Sequence, residues 1–272
     1  MKGRSQLVVL GFLVFAYAGC PCKSIDRSYP QPTAEEILGH LGEERDAVRS
    51  FKTDSTMDYW VGDDRFRGTV LVMGEKGAKV RMNALRPDDA TAVDLACDGT
   101  DFVLVDQMNN CVLSGPCTAD SIAQLLRVPL APDDFLYLAL GTTPVIEGAK
   151  GTVRWDDKHG REIVELTGAG GMKQRIEVDG RDGKKTWDLL KSEVRGADGK
   201  VIWTAEHKEY RAITGDDGKA YRVPGKSMFK TPKEKSDLLV DWGDEREVNL
   251  ELAPASFVMA NVPDVPTCGQ KK

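Results

Sequence analysis

The sequence predicts a mainly β protein of the α+β class, in which a long antiparallel meander curls into a sandwich or a barrel. From residue 53 onward, apolar and polar residues alternate with a period of two, as in strands with one buried face. Turn signals such as Asp98-Gly99 and Asp198-Gly199 recur at short spacing. No repeat and no shift of composition divides the chain, so we expect one domain at 33–266 and a C-terminal tail at 267–272.

The first twenty residues predict an export signal. Lys2 and Arg4 precede an apolar run, 7–19, which is shorter than the roughly 20 residues needed to span a bilayer. The small residues before Cys20 resemble the bacterial lipobox, which implies removal of 1–19 and acylation of Cys20 on its sulfur and its new amino group. An ordinary signal peptide with a chance cysteine is the alternative. Residues 20–32 contain three prolines and predict a short flexible tether.

The first predicted element of the body is a helix at 34–50. Thr33 and Glu36 have the spacing of a capping box, and apolar residues such as Ile37 and Leu41 share one helical face. The strands predicted after it begin near residue 53 and continue at 66–73, 78–85, 91–97, 101–106 and 110–114.

Two short helices are expected next, at 121–126 and 132–141. The second is apolar nearly all round, so it is predicted to be buried or to cover an apolar surface. The remaining strands are predicted at 152–156, 161–167, 172–178, 186–195, 200–212, 219–223, 236–242 and 246–252.

The hairpins predict which side chains share a face. A turn at 74–77 that pairs Met73 with Ala78 places Leu71 opposite Val80. The Asp98-Gly99 turn pairs Leu95 with Phe102 in the same way. The resulting apolar face, together with the two mid-chain helices, could enclose a cavity, and an ordinary filled core is the alternative. The candidate lining residues are Met57, Leu71, Met73, Val80, Met82, Leu95, Phe102, Leu104, Leu125 and Phe135.

Composition and motifs argue against several classes of function. The formal charge of −6 becomes −8 when the two basic residues of the signal are removed, and an acidic body does not favour nucleic-acid binding. No hydrolase, zinc-protease, P-loop or dinucleotide motif is present. His207 is expected on the solvent-facing side of a strand. We therefore predict no catalytic residue, no metal site and no cofactor.

The cysteines leave the disulfide pattern open. With Cys20 assigned to lipid, five cysteines remain, and an exported protein can form disulfides. Cys111 and Cys117 could close a small loop, and Cys22 and Cys268 could join the two chain ends. Because five is an odd number, at least one thiol must remain free or form a cross-link with another chain.

Several stretches resemble the LolA/LolB-like superfamily of bacterial lipoprotein-localisation proteins. The hairpin at 97–106, with Asp98-Gly99, Phe102 and Leu104, is similar to a recurrent family hairpin. The segments that resemble the mid-chain helical insertion, the late meander and the closing segment follow in the family's order, at 114–116, 122–129, 135–141, 187–210 and 249–263.

The resemblance implies an incomplete antiparallel β-barrel, with an N-terminal helix and short mid-chain helices that cover its mouth. It also implies an apolar cavity for the acyl chains of lipids or lipoproteins. Such a protein would be a membrane-anchored, non-enzymatic binder in lipoprotein localisation or lipid handling. The family's protruding leucine loop and its arginine lock are not assigned to residues of this sequence, so the resemblance implies binding of acyl chains more directly than transfer.

Two other functions remain open at this stage. One is a structural lipoprotein with a filled barrel that binds an envelope protein partner, and the other is an exported hydrolase. Since Pro21 rather than an aspartate follows Cys20, the expected location is the outer membrane, facing the periplasm.

Overall fold

The computed structural model describes residues 24–61, 63–118, 133, 137, 139–181 and 186–269. The predicted signal, Cys20 and Cys22 lie outside the described residues. So does nearly all of the two predicted mid-chain helices, including Leu125 and Phe135. In the part of the chain that the structure describes, no helix is long and apolar enough to cross a membrane.

Helix α1 spans Ala34–Ala47 and begins at the predicted capping box. The Thr33 hydroxyl accepts a hydrogen bond from the Glu36 amide at 3.1 Å, and the Thr33 amide donates to the Glu36 carboxylate at 3.0 Å. The helix ends three residues earlier than predicted, because Val48 adopts an extended conformation. Ile37 and Leu41 point into the protein and are buried.

Fifteen strands account for most of the described chain. They are β1 (Ser50–Val61), β2 (Asp64–Glu75), β3 (Lys79–Leu85), β4 (Thr91–Asp98), β5 (Asp101–Asp106), β6 (Cys111–Pro116), β7 (Lys150–Asp156), β8 (Arg161–Thr167), β9 (Lys173–Gly180), β10 (Trp187–Arg195), β11 (Val201–Lys208), β12 (Arg211–Thr214), β13 (Ala220–Val223), β14 (Lys226–Thr231) and β15 (Ser236–Val248).

Thirteen of these strands form one antiparallel sheet that does not close. Their order is β6-β5-β4-β3-β2-β1-β15-β14-β11-β10-β9-β8-β7, so β6 and β7 are the two edges. Strands β12 and β13 form a separate hairpin. The predicted mainly β, incomplete barrel with an N-terminal helix is confirmed.

The late strands differ from the prediction in two ways. The predicted strands 236–242 and 246–252 are one strand, β15, because Gly243 lies in a bulge opposite Asp54 rather than in a turn. A side chain at Gly243 would collide with the Asp54 carboxylate, so the bulge requires glycine. The predicted strand 200–212 is interrupted at Glu209, which has a φ of 59°, so it forms the two strands β11 and β12. Strand β14 is an additional strand that the sequence does not predict.

The predicted register of the first hairpin is wrong. Val72 lies opposite Met82 and Leu71 lies opposite Asn83, so the pairing is shifted by three residues. An odd shift moves a strand's side chains to the other face. Leu71 and Met73 therefore lie on the convex face, where Leu71 is 43% exposed, and Val72 takes the buried position. The cause is a strand that continues to Glu75, followed by a tight turn in which Ala78 has a φ of 63°.

The next hairpin keeps its predicted faces. Leu95 lies opposite Leu104 and Cys97 lies opposite Phe102, two residues away from the predicted register. Because an even shift preserves the faces, these side chains share the concave side as predicted.

Three apolar clusters fill much of the concave side. Helix α1 packs on β8–β10, where Ile37 and Leu41 join Val164, Ile176 and Leu189. A central cluster places the segment at 139–140 and the β12–β13 hairpin against β1, β2, β14 and β15. A third, smaller cluster lies between β4, β5 and Cys117.

The chain's N-terminal segment covers the β7 edge. The Ile25 amide donates to the Asp157 carbonyl at 2.7 Å, and Trp155 Nε1 donates to the Ile25 carbonyl at 2.7 Å. Arg27 makes two hydrogen bonds to the buried Glu162 carboxylate, at 2.7 and 3.1 Å. Residues 25–27 of the predicted flexible tether are therefore docked on the domain beside β7.

The C-terminal segment covers the β6 edge. Thr267 pairs with Val112, and the Cys268 amide donates to the Val112 carbonyl at 2.9 Å. A disulfide joins Cys268 to Cys111, and a second disulfide joins Cys97 to Cys117. Both proposed pairings are thus wrong. Cys111 and Cys117 bracket the extended strand β6, whose length of about 20 Å is far beyond disulfide reach.

Candidate functional site

An apolar pocket of about 360 Å³ lies on the concave face of β1–β6. Its described lining residues are Met57, Tyr59, Phe66, Val70, Met82, Ala84, Val93, Leu95, Leu104, Asp106, Leu113, Leu238 and Cys268. The volume lies within the range of about 300–1,000 Å³ that small-molecule sites occupy.

The strand pattern explains why the pocket is apolar. Side chains alternate between the two faces of a strand, so every second residue of each strand points to the concave side. Strands β1–β5 each supply two lining residues in this way, for example Met82 and Ala84 from β3. Ala84 is the smallest lining residue and leaves space, and Met57 and Met82 have flexible side chains that adapt to varied apolar shapes.

The predicted cavity residues divide into four groups. Met57, Met82, Leu95 and Leu104 line the pocket. Val80 and Phe102 lie on the same face but are buried beside the pocket rather than lining it. Leu71 and Met73 lie on the opposite face, for the register reason given above, and Leu125 and Phe135 lie outside the described residues.

The sequence reasoning missed other lining residues. Tyr59 and Val93 follow the same period of two as the predicted residues, so that signal could have found them. Leu238 and Cys268 come from β15 and the C-terminal segment, and their position depends on long-range pairing that no local pattern shows.

One end of the pocket carries polar groups. Asp106 ends β5, and its carboxylate accepts hydrogen bonds from the Asn109 amide at 2.9 Å and from Asn109 Nδ2 at 2.7 Å. Asp106 lies directly opposite Cys111, whose disulfide partner Cys268 also lines the pocket. The carboxylate and the disulfide thus lie together at the end of the pocket nearest the β5–β6 turn.

His207 is buried, and the prediction that it faces solvent is wrong. Its side chain lies on the concave face of β11, and Nδ1 is 2.9 Å from the Ser227 hydroxyl, which also accepts from Trp242 Nε1 at 2.9 Å. Burial lowers the pKa of His207 to about 3, so its ring is neutral at physiological pH. The central strands therefore meet around a neutral polar contact rather than an exposed base.

Potential metal ligands do not cluster in the described part of the chain, where no group of three histidine, cysteine or carboxylate side chains could hold an ion. Several ion pairs join different strands to one another. An example is Asp188, which accepts from Arg222 Nε at 2.8 and 2.9 Å.

An open antiparallel sheet with one described helix and an apolar pocket on its concave face defines an incomplete β-barrel. Comparison with solved structures identifies the fold more closely. A LolA superfamily protein from Nitrosomonas europaea is 15% identical, with a TM-score of 0.53, and the match covers 84% of this chain and 99% of that one. The chain therefore has a LolA-like fold.

Two further structures agree with this fold. A DUF1329 family protein from Desulfovibrio piger is 14% identical, with a TM-score of 0.51, and the match covers 82% of this chain and 95% of that one. A domain assigned to outer-membrane lipoprotein sorting, from Vibrio parahaemolyticus, is 12% identical, with a TM-score of 0.51, and covers 81% of this chain and 97% of its own. No protein-family model matches the sequence, and no curated protein sequence does.

Proposed function

We propose that this protein is a lipid-anchored, non-enzymatic lipoprotein of the bacterial envelope that binds acyl chains in the pocket on the concave face of β1–β6. The observation that carries the proposal is the lining itself: eleven of the thirteen described lining residues are hydrocarbon, aromatic or thioether side chains. An apolar cavity is favourable for an acyl chain because each methylene that leaves water contributes about 0.8 kcal/mol.

The LolA-like fold supports the same proposal. A protein assigned to outer-membrane lipoprotein sorting shares the architecture, so the bound chains would be those of lipoproteins or of other envelope lipids. Fold alone does not fix function, and the pocket is what connects the fold to a ligand.

The membrane anchor in this proposal is Cys20, and the docked N-terminal segment makes its tether short. Since Ile25 is hydrogen-bonded to the β7–β8 turn, only residues 21–23 lie between the anchor and Ser24. The four Cα–Cα steps from Cys20 to Ser24 span at most about 14 Å. The β7–β8 turn would then stay close to the membrane.

The pocket lies near the opposite ends of the strands. Tyr59, Phe66 and Asp106 are close to the β1–β2 and β5–β6 turns, whereas the antiparallel pairing places the β7–β8 turn at the other end of the sheet. We infer that the polar end of the pocket faces away from the anchoring membrane, toward an incoming carrier or cargo.

The experiment that tests binding uses the body from residue 23, expressed in a bacterial periplasm. Native mass spectrometry should show one acyl lipid per folded chain, and solvent extraction should release it for identification. A folded protein that contains no lipid and takes up no neutral apolar probe would contradict the proposal. If it also retained a stable protein partner, the filled-barrel lipoprotein would replace it.

The anchor is tested separately with the full-length chain. Wild-type protein should remain with membranes after a high-salt wash, and Cys20→Ala should release it. Mass spectrometry of the N-terminal peptide should show acylation. An unmodified cysteine in the wild type would remove the anchor but leave the binding proposal intact.

A further inference from the structure

The polar end of the pocket carries a negative charge. Asp106 is the only charged residue among the described lining residues, which include no lysine, arginine or histidine. A ligand with its acyl chain in the apolar part of the pocket would bring its head group to this end or leave it outside.

The position of the carboxylate is fixed by its surroundings. Both oxygens accept hydrogen bonds from Asn109 in the tight β5–β6 turn, and the opposite residue, Cys111, is covalently joined to the C-terminal segment. A carboxylate has about four lone-pair positions, and Asn109 uses two of them. The other two can accept hydrogen bonds from a ligand.

We propose, on the basis of the function proposed above, that Asp106 selects acyl ligands whose head group donates hydrogen bonds and carries no negative charge. An ammonium group or an amide N–H satisfies the carboxylate. A free fatty acid brings a second carboxylate to the same end, where the described lining supplies no cation to compensate it, and like charges near a protein surface repel.

The proposal is tested with three ligands of equal chain length, namely dodecylamine, dodecanol and dodecanoate. Each competes at pH 7.5 with the neutral fluorescent probe N-phenyl-1-naphthylamine, below the concentration at which it aggregates. In the wild-type protein, the amine and the alcohol should displace the probe at concentrations at least about tenfold lower than dodecanoate, the size expected of one screened like-charge contact.

The variant Asp106→Asn removes the charge and keeps an oxygen that can accept from the Asn109 amide. It should strengthen dodecanoate binding about tenfold, weaken dodecylamine binding and leave dodecanol nearly unchanged. The matched control is Asp101→Asn, at the other end of β5, where the side chain is exposed and does not line the pocket. It changes the net charge equally, so it separates a local effect from general attraction of amines to an acidic protein.

Equal displacement by all three ligands in the wild type would overturn the proposal, and so would a preference that survives in Asp106→Asn. These results would leave acyl-chain binding in place. If neither the probe nor any of the ligands binds, the proposed function itself fails. The wild-type comparison needs no variant, so the test does not depend on whether Asp106→Asn folds, and a melting curve checks that separately.

Discussion

The two halves of the long sheet present similar concave apolar faces but use them differently. On β8–β10, helix α1 fills the concave side with Ile37 and Leu41. On β1–β6, the described side chains leave a pocket of about 360 Å³. The comparison shows that the same strand alternation can build either a filled core or an open apolar pocket, depending on what the chain places above the sheet.

The largest effect is expected in the filled half. Ile37 is fully buried against the sheet, so Ile37→Ala should lower the free energy of unfolding by about 2–5 kcal/mol. Met82 is only partly buried and already faces the pocket, so Met82→Ala should cost about 1 kcal/mol. Chemical denaturation measures both. Equal losses would mean that the two halves are packed alike.

The C-terminal disulfide should stabilise the half that contains the pocket. Cys111 and Cys268 are 157 residues apart, so their replacement by serine should lower the free energy of unfolding by about 2–4 kcal/mol. The matched control is the double replacement of Cys97 and Cys117, which are 20 residues apart. Loop entropy predicts a loss that is about 2 kcal/mol smaller for this pair. A larger loss there would show that local packing outweighs the closed loop.

The buried His207, which lies between the two halves, should make the free energy of unfolding depend on pH. The pKa of His207 is lower in the folded protein than in the unfolded chain, where it is about 6.5, so the unfolded state binds the proton first. The contribution of His207 to the free energy of unfolding should therefore be complete above about pH 6.5 and fall as the pH is lowered toward 3, by about 1.4 kcal/mol per pH unit. Denaturation of the wild type and of His207→Asn between pH 7.5 and 5 isolates the effect. If the free energies of unfolding of the wild type and of His207→Asn changed in parallel with pH, the expected contribution of His207 would be contradicted.

The smallest effect is expected on the convex face of the pocket half. Leu71 is 43% exposed there, so Leu71→Ala should change the free energy of unfolding by less than about 0.5 kcal/mol. Its neighbour Val72 is buried, so Val72→Ala should lower the free energy of unfolding by about 2 kcal/mol. The reverse order would support the hairpin register that the sequence predicts rather than the one observed.

Local patterns predicted the helix cap, most strands and the shared face of Leu95, Phe102 and Leu104, because these depend on residues that are close in sequence. The hairpin at Lys76–Ala78 was mispredicted because a non-glycine residue, Ala78, takes the left-handed position of its turn. The burial of His207 and the pairing of Cys111 with Cys268 depend on contacts between segments that are distant in sequence. Periodicity carries no information about such contacts.

The most direct test of the proposed binding pocket compares two neighbouring residues of β3. Ala84 lines the pocket, whereas Asn83 points to the convex face. Ala84→Trp should fill the pocket and weaken the binding of N-phenyl-1-naphthylamine at least about tenfold, because the indole occupies the ligand's space. Asn83→Trp should bind the probe like the wild type, provided that melting curves show both variants folded. Undiminished binding by a folded Ala84→Trp variant would contradict the account.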